Sequence, residues 1–115
     1  LSSIILINEG NFKFKTQELP FTAQLSPIYA IAHADFDQDG DQDIVLGGNL
    51  YNVKPEVGRY DAMYGVYLEN LGNLKLKDYK NGKGFNIDGE IRDLKINDRR
   101  LIVTRNSDSL AIFKY

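Results

Sequence analysis

Asp35-Phe36-Asp37-Gln38-Asp39-Gly40-Asp41-Gln42-Asp43 sets five aspartates at alternate positions around one glycine. Like charges at that density repel one another unless a cation neutralises them. Ligands that are all oxygen suit a hard cation, and calcium accepts the six to eight flexible oxygens that a loop of this size offers. Counted from Asp35, positions 1, 3, 5 and 9 supply the side chains of Asp35, Asp37, Asp39 and Asp43. Gly40, at position 6, takes the positive-φ turn, and Asp41, at position 7, gives its backbone carbonyl. The expected metal ligands are therefore Asp35, Asp37, Asp39, Asp41 and Asp43, and the expected ion is one Ca2+.

The flanks of this loop decide the fold. An EF-hand shares the first six positions but needs a bidentate Glu at position 12 and a helix on each side; position 12 is Leu46. Ile28 to Ala34 upstream and Ile44 to Gly48 downstream are short apolar runs, the second closed by glycines, and both read as buried strands. The loop thus joins two strands of an all-β chain. A solvated acidic turn without metal explains single aspartates but not the full D-x-D-x-D-G-x-x-D pattern.

The rest of the chain repeats this unit. Ile5 to Lys15 recurs as Tyr67 to Lys77, offset by 62 residues at a shared Asn-x-Gly-Asn turn, and each copy reads as a β-hairpin. The strand pair around the acidic loop recurs in weakened form as Glu90 to Ile96 and Leu101 to Thr104, offset by 62 and 57 residues, with the loop itself compared at 58. There Asp35, Asp37, Asp39 and Asp43 fall on Asp93, Lys95, Asn97 and Leu101, so the second copy has lost its ligands and Asn97-Asp98-Arg99-Arg100 reads as a surface turn. With strands lettered A to D and the cation between A and B, the chain runs C-D, then A-B-C-D, then A-B-C.

Asp35 to Asp43 continuing into Ile44-Val45-Leu46-Gly47-Gly48-Asn49 resembles the FG-GAP/VCBS repeat, the blade unit of integrin α-subunit-type β-propellers. Gly58-Arg59-Tyr60-Asp61-Ala62 and Gly65 to Asn70 are similar to the C-terminal repeats of secreted bacterial VCBS-repeat proteins, including the ASPIC/UnbV group. The resemblance implies antiparallel four-stranded β-propeller blades, here an incomplete slice of a larger propeller. Residues 1–18 would end one blade, 28–80 would form a complete calcium-binding blade, and 86–115 a degenerate last blade. It further implies a secreted, cell-surface or periplasmic bacterial protein. A literal Phe-Gly followed by Gly-Ala-Pro is absent, a departure from the integrin pattern, so the resemblance by itself does not imply the direct adhesion role of integrins.

Composition bounds the function. The chain has 115 residues, 43% hydrophobic and 26% charged, which suits a globular domain or a piece of one and contains no stretch of ~18 apolar residues able to span a membrane. Net charge is −2, and setting aside the five loop aspartates leaves 14 basic against 11 acidic residues. No broad basic field remains for a phosphate backbone, so no nucleic-acid partner is expected. Zero cysteines exclude a disulfide scaffold. Calcium sites in extracellular modules are commonly weak, with Kd of about 10⁻⁴ to 10⁻³ M, which favours an extracellular setting. The start at Leu1, without Met or a charged and apolar leader, points to a signal peptide and further chain upstream.

No enzyme is expected. His33 is the single histidine and reads as a packed or hydrogen-bonded structural residue. The serines lie in no nucleophile-elbow context, and Asp88, Glu90 and Asp93 make a poor glycosidase pair because Glu90 and Asp93 should point to opposite faces of one strand. Lys75 and Lys77 alternate with leucines and read as the wet face of an outer strand. Tyr51, Tyr60, Tyr64 and Tyr67 suit inter-blade packing or, as an alternative, a carbohydrate-binding surface. The expected role is a non-enzymatic calcium-binding extracellular scaffold or interaction module for a protein or glycan ligand. A part in polysaccharide handling and a hydrolase fragment are the alternatives. The last strand, Leu110 to Phe113, is expected either to self-associate through its edge with a second molecule or to accept the hairpin Ile4 to Lys15.

Overall fold

Three two-residue turns join strands among the described residues. Asn11-Phe12, Asn73-Leu74 and Asp98-Arg99 all have positive φ, between 49° and 61°. Two consecutive positive-φ residues are the requirement of a type I′ turn, whose twist matches that of paired strands. The first two turns are prepared alike: Asn8 Oδ1 accepts the Gly10 amide and Asn70 Oδ1 the Gly72 amide, both at 2.9 Å. Gly10 and Gly72 take φ of 90° and 108°, a region that side chains disfavour. The 62-residue repeat is thus a repeat of conformation as well as of letters.

The computed structural model describes residues 2–24, 27–48, 65–79, 91–105 and 109–115. Among them lie nine strands: β1 (Ile4–Gly10), β2 (Lys13–Glu18), β3 (Ala30–Ala34), β4 (Asp43–Gly47), β5 (Val66–Asn70), β6 (Leu76–Tyr79), β7 (Ile91–Asn97), β8 (Arg100–Arg105) and β9 (Ala111–Lys114). They form three antiparallel sheets, ordered β1-β2, β3-β4-β5-β6 and β7-β8-β9. The chain is all-β, with the expected two, four and three strands per sheet, and these sheets do not close into a ring. The boundaries expected at 28–34 and 44–47 differ by one or two residues from β3 and β4, and the Tyr29 amide still bonds the Gly47 carbonyl at 2.8 Å. Glu90 and the Gly58-Arg59-Tyr60-Asp61 segment lie outside the described residues.

The sheets pack face against face in chain order. One face of the middle sheet places Leu46, Val66 and Leu68 against Ile5 of the first sheet and against Leu19 and Ala23, which follow β2. Gln24 ties down this connection: its Nε2 donates to the Ser3 and Leu19 carbonyls at 2.9 and 3.0 Å. The opposite face presents Ala30, Ala32, Val45 and Tyr67 to Ile91, Leu94, Leu101 and Val103 of the third sheet. Gly47 lets the two sheets approach, because a Cβ there would collide with the Ile91 side chain. Each fully buried Val, Leu or Ile in these layers contributes roughly 1.5–3 kcal/mol.

β6 is an outer strand, and Lys75 and Lys77 are exposed while Leu76 packs inward, as the alternation implied. β9 pairs with β8, and the β1-β2 hairpin forms its own sheet rather than adding to β9. The expectation that Ile4 to Lys15 would serve as a substitute fourth strand is therefore not met. The hairpin's Ile5 is held instead by the middle sheet's apolar face. Among the described residues, no helix is long and apolar enough to cross a membrane.

Candidate metal centre

The acidic loop fills residues 35–42 between the last pair of β3-β4, Ala34↔Asp43. Backbone amides bend it around its own carboxylates. Asp35 accepts from the Asp39 amide at 3.0 Å and the Gly40 amide at 2.9 Å, and Asp39 accepts from the Asp41 amide at 2.9 Å. Gln38 and Gly40 take φ of 63° and 96° to make the reversal. In consequence Asp35, Asp37 and Asp39 converge, with one ligand atom from each within 4.8 Å of the others.

Asp43 plays a different part. Its side chain is fully buried and holds three donors: the Phe36 amide at 3.1 Å and the Tyr67 hydroxyl at 3.0 Å on Oδ2, and the Asn70 amide at 2.9 Å on Oδ1. A carboxylate offers about four lone-pair sites, so three of them are taken here, and Asp43 is not among the carboxylates that converge. Asp43 anchors the loop to β5 whatever else it binds. The Asp41 side chain turns toward the β5-β6 turn, its Oδ2 3.9 Å from where a Cβ on Gly72 would stand. Asn70 adds a further tie, its Nδ2 donating to the Gln42 carbonyl at 3.2 Å.

Glu69 was not visible as a site residue in the sequence. It lies on β5, is 8% exposed, and makes a side-chain hydrogen bond with Asp37. Two carboxyls in contact share a proton or face a cation. Desolvation, the Glu69 contact and the charge of Asp43 together push the Asp37 carboxyl up to about 7 from 3.8. Burial, reinforced by its bond to Asp43, likewise raises the Tyr67 hydroxyl above the ordinary tyrosine value. The signal for Glu69 was available only through register: Tyr67 pairs with Val45, so Glu69, two positions on, shares a face with Asp43.

The remaining candidates fall as follows. His33 is exposed, and its Nδ1 lies 3.1 Å from Gln42 Oε1. Tyr67 is 1% exposed and packs edge-on against Phe36 at 6.1 Å, so it offers no open ring to a sugar. Tyr51, Tyr60, Tyr64, Asp88 and Glu90 lie outside the described residues. Asp93 forms an exposed ion pair with Lys95 at 3.9 Å. Asp98-Arg99 makes a tight surface turn in place of a second acidic loop, in line with the lost ligands. In comparison with protein-family models, curated proteins and solved structures, the chain matches none.

Proposed function

We propose that residues 35–43 bind one calcium ion and that the chain is a non-enzymatic extracellular scaffold or interaction module of FG-GAP/VCBS type. The observation that carries this reading is the convergence of Asp35, Asp37 and Asp39 to within 4.8 Å. The nearby Glu69 carboxyl, buried and bonded to Asp37, adds to the negative charge that a cation would relieve. Asp35, Asp37 and Asp39 would supply carboxylate oxygens, Asp41 its carbonyl, and Asp43 the lone pair that its three donors leave. Calcium tolerates such a mixed and flexible set, whereas magnesium demands a near-ideal octahedron and keeps more of its water.

On this reading the three sheets are blades, or parts of blades, that succeed one another along the chain. The support is internal: the second sheet has four antiparallel strands, and its C-D hairpin and A-B-C portion recur in the first and third sheets. Calcium would fix the A-B connection of the middle blade, and the sheet faces and loops would present binding surface. Calorimetric titration of chelator-treated protein tests the ion. One site filled by millimolar calcium, lost in Asp37→Ala, is expected; no heat at millimolar calcium would remove the basis of the proposal.

A further inference from the structure

An aspartyl carboxyl is open to attack by the amide nitrogen of the residue that follows it, and a following glycine leaves that nitrogen least hindered. Among the described residues, Asp39-Gly40 is the single Asp-Gly step. Both residues are exposed, and a Cβ placed on Gly40 would meet nothing within 4 Å. A ring closed at this step therefore strikes no neighbour, and water reaches it. The other loop aspartates precede Phe36, Gln38, Gln42 and Ile44, whose side chains crowd the attacking nitrogen, and Asp43 is in addition fully buried.

Two hydrogen bonds set the reacting groups. Asp39 Oδ1 accepts the Asp41 amide at 2.9 Å, which folds the carboxyl forward over the Gly40 peptide, where a five-membered ring would close. The Gly40 amide donates to Asp35 Oδ2 at 2.9 Å. A carboxylate thus already stands on the proton that the nitrogen must give up. Asp37 repeats the forward fold more loosely, its Oδ1 accepting the Asp39 amide at 3.3 Å, but the residue after it is Gln38.

We propose that Asp39 is a site of self-catalysed isomerisation to isoaspartate, with Asp35 as the base. The Gly40 nitrogen bonds to Asp39 Cγ while its proton passes to Asp35 Oδ2. One carboxyl oxygen then leaves as water, taking that proton and the carboxyl's own, and a succinimide ring remains. Water reopens the ring at either of its two C–N bonds. Breaking the bond to Cγ restores Asp39. Breaking the bond to the main-chain carbonyl carbon leaves the chain running through Cβ and Cγ, with no net change in mass. The product lengthens the main chain by one methylene and withdraws the Asp39 carboxylate from Asp35 and Asp37, with which it converges. The loop carries a chemical clock against its own geometry. This chemistry belongs to the ion-free loop and does not rest on the cation reading.

The test is the rate of isoaspartate formation at residue 39 in the chelator-treated chain, kept folded near neutral pH. Peptide mass spectrometry reads it, the isomers being separated by chromatography and told apart by fragmentation. A free peptide of residues 35–43 gives the rate without the fold. The folded chain is expected to exceed the peptide. Asp35→Asn, which keeps an acceptor oxygen but removes the base, should slow the chain by roughly tenfold or more and leave the peptide unchanged. Asp35→Glu, which returns a carboxylate, should recover part of the rate. Circular dichroism melting reports folding of each variant, and Asp35→Ser replaces Asp35→Asn should that variant fail to fold. A folded chain no faster than the peptide overturns the proposal, because the loop's hydrogen bonds would then protect the step. So does a folded chain that isomerises at the wild-type rate without its base.

Discussion

The connections β3-β4 and β7-β8 join equivalent strands by opposite means. Between Ala34 and Asp43 the chain spends eight residues and four backbone-to-carboxylate hydrogen bonds on a loop that gathers charge. Between Asn97 and Arg100 it turns in two residues, Asp98 and Arg99, both at positive φ. Where the first connection ends in a fully buried carboxylate, the second ends in the exposed Arg100. Similar sheets therefore do not require the acidic loop. Hairpin closure needs only the turn, and the loop's carboxylates, like-charged and converging, serve something beyond strand pairing.

The most severe way to break this comparison is to remove the anchor. Asp43→Ala leaves the Phe36 amide, the Asn70 amide and the Tyr67 hydroxyl without their buried acceptor, and should cost about 3–5 kcal/mol. Arg100→Ala, at the residue that opens β8 as Asp43 opens β4, should stay within about 0.5 kcal/mol. Denaturant unfolding measures both, and equal losses would mean that the two connections are mechanically alike.

Next comes the ion. At 100-fold excess over Kd, a ligand of the folded state alone adds about 2.7 kcal/mol, so chelation should lower the melting temperature by roughly 10 °C. Asp37→Ala should lose most of that shift. A chelated sample that melts with the loaded one would make the loop an ordinary surface feature.

Backbone strain gives a smaller contrast. A Cβ at Gly40 meets nothing within 4 Å, but φ is 96°, so Gly40→Ala should cost about 1–2 kcal/mol through conformation alone. The tight turns hold side chains where glycine is favoured. Phe12→Gly, at a residue 97% exposed with φ of 61°, should stabilise by about 1 kcal/mol. Arg99→Gly should gain less, since it loses the Nε bond to the Tyr115 carbonyl at 3.0 Å.

The smallest effect is on pH dependence. With Asp37 near 7 in the folded ion-free chain against 3.8 as its ordinary value, the folded state holds the extra proton between those limits. Stability of the ion-free protein should then fall slightly as pH rises from about 4 to about 7. If the loop binds calcium as proposed, saturating calcium should reverse the trend, because ligation requires the ionised carboxylates. Melting curves with and without chelator give the sign of each slope.

Local rules made much of this legible. Asn-x-Gly-Asn marked two hairpins because an asparagine side chain and a glycine together preset the turn, and alternation placed Lys75 and Lys77 outward. The acidic pattern drew attention to Asp35, Asp37 and Asp39 but gave no reason to expect Asp43 as a hub of three hydrogen bonds. That role depends on which β5 residues stand opposite β4, and the intervening residues 48–65 conceal this register in the sequence. Glu69 and Asn70 were missed for the same reason. Tyr67 could be assigned to packing or to ligand contact until its pairing with Val45 put it between two sheets.

Phe36 sits in the middle of the acidic run yet is 7% exposed. Its ring stands edge-on to Tyr67 and, at 4.6 Å between centroids, to Tyr115. The same two peptide units that position Asp35 and Asp37 therefore wedge an aromatic ring between the middle sheet and the end of the third. Thermodynamic reciprocity follows: if closing the carboxylates around an ion seats this wedge, then loosening the contact at Tyr115 must weaken the grip on the ion by the same factor. On the calcium reading the loop would act as a latch, and the two sheets it fastens would be part of its own affinity.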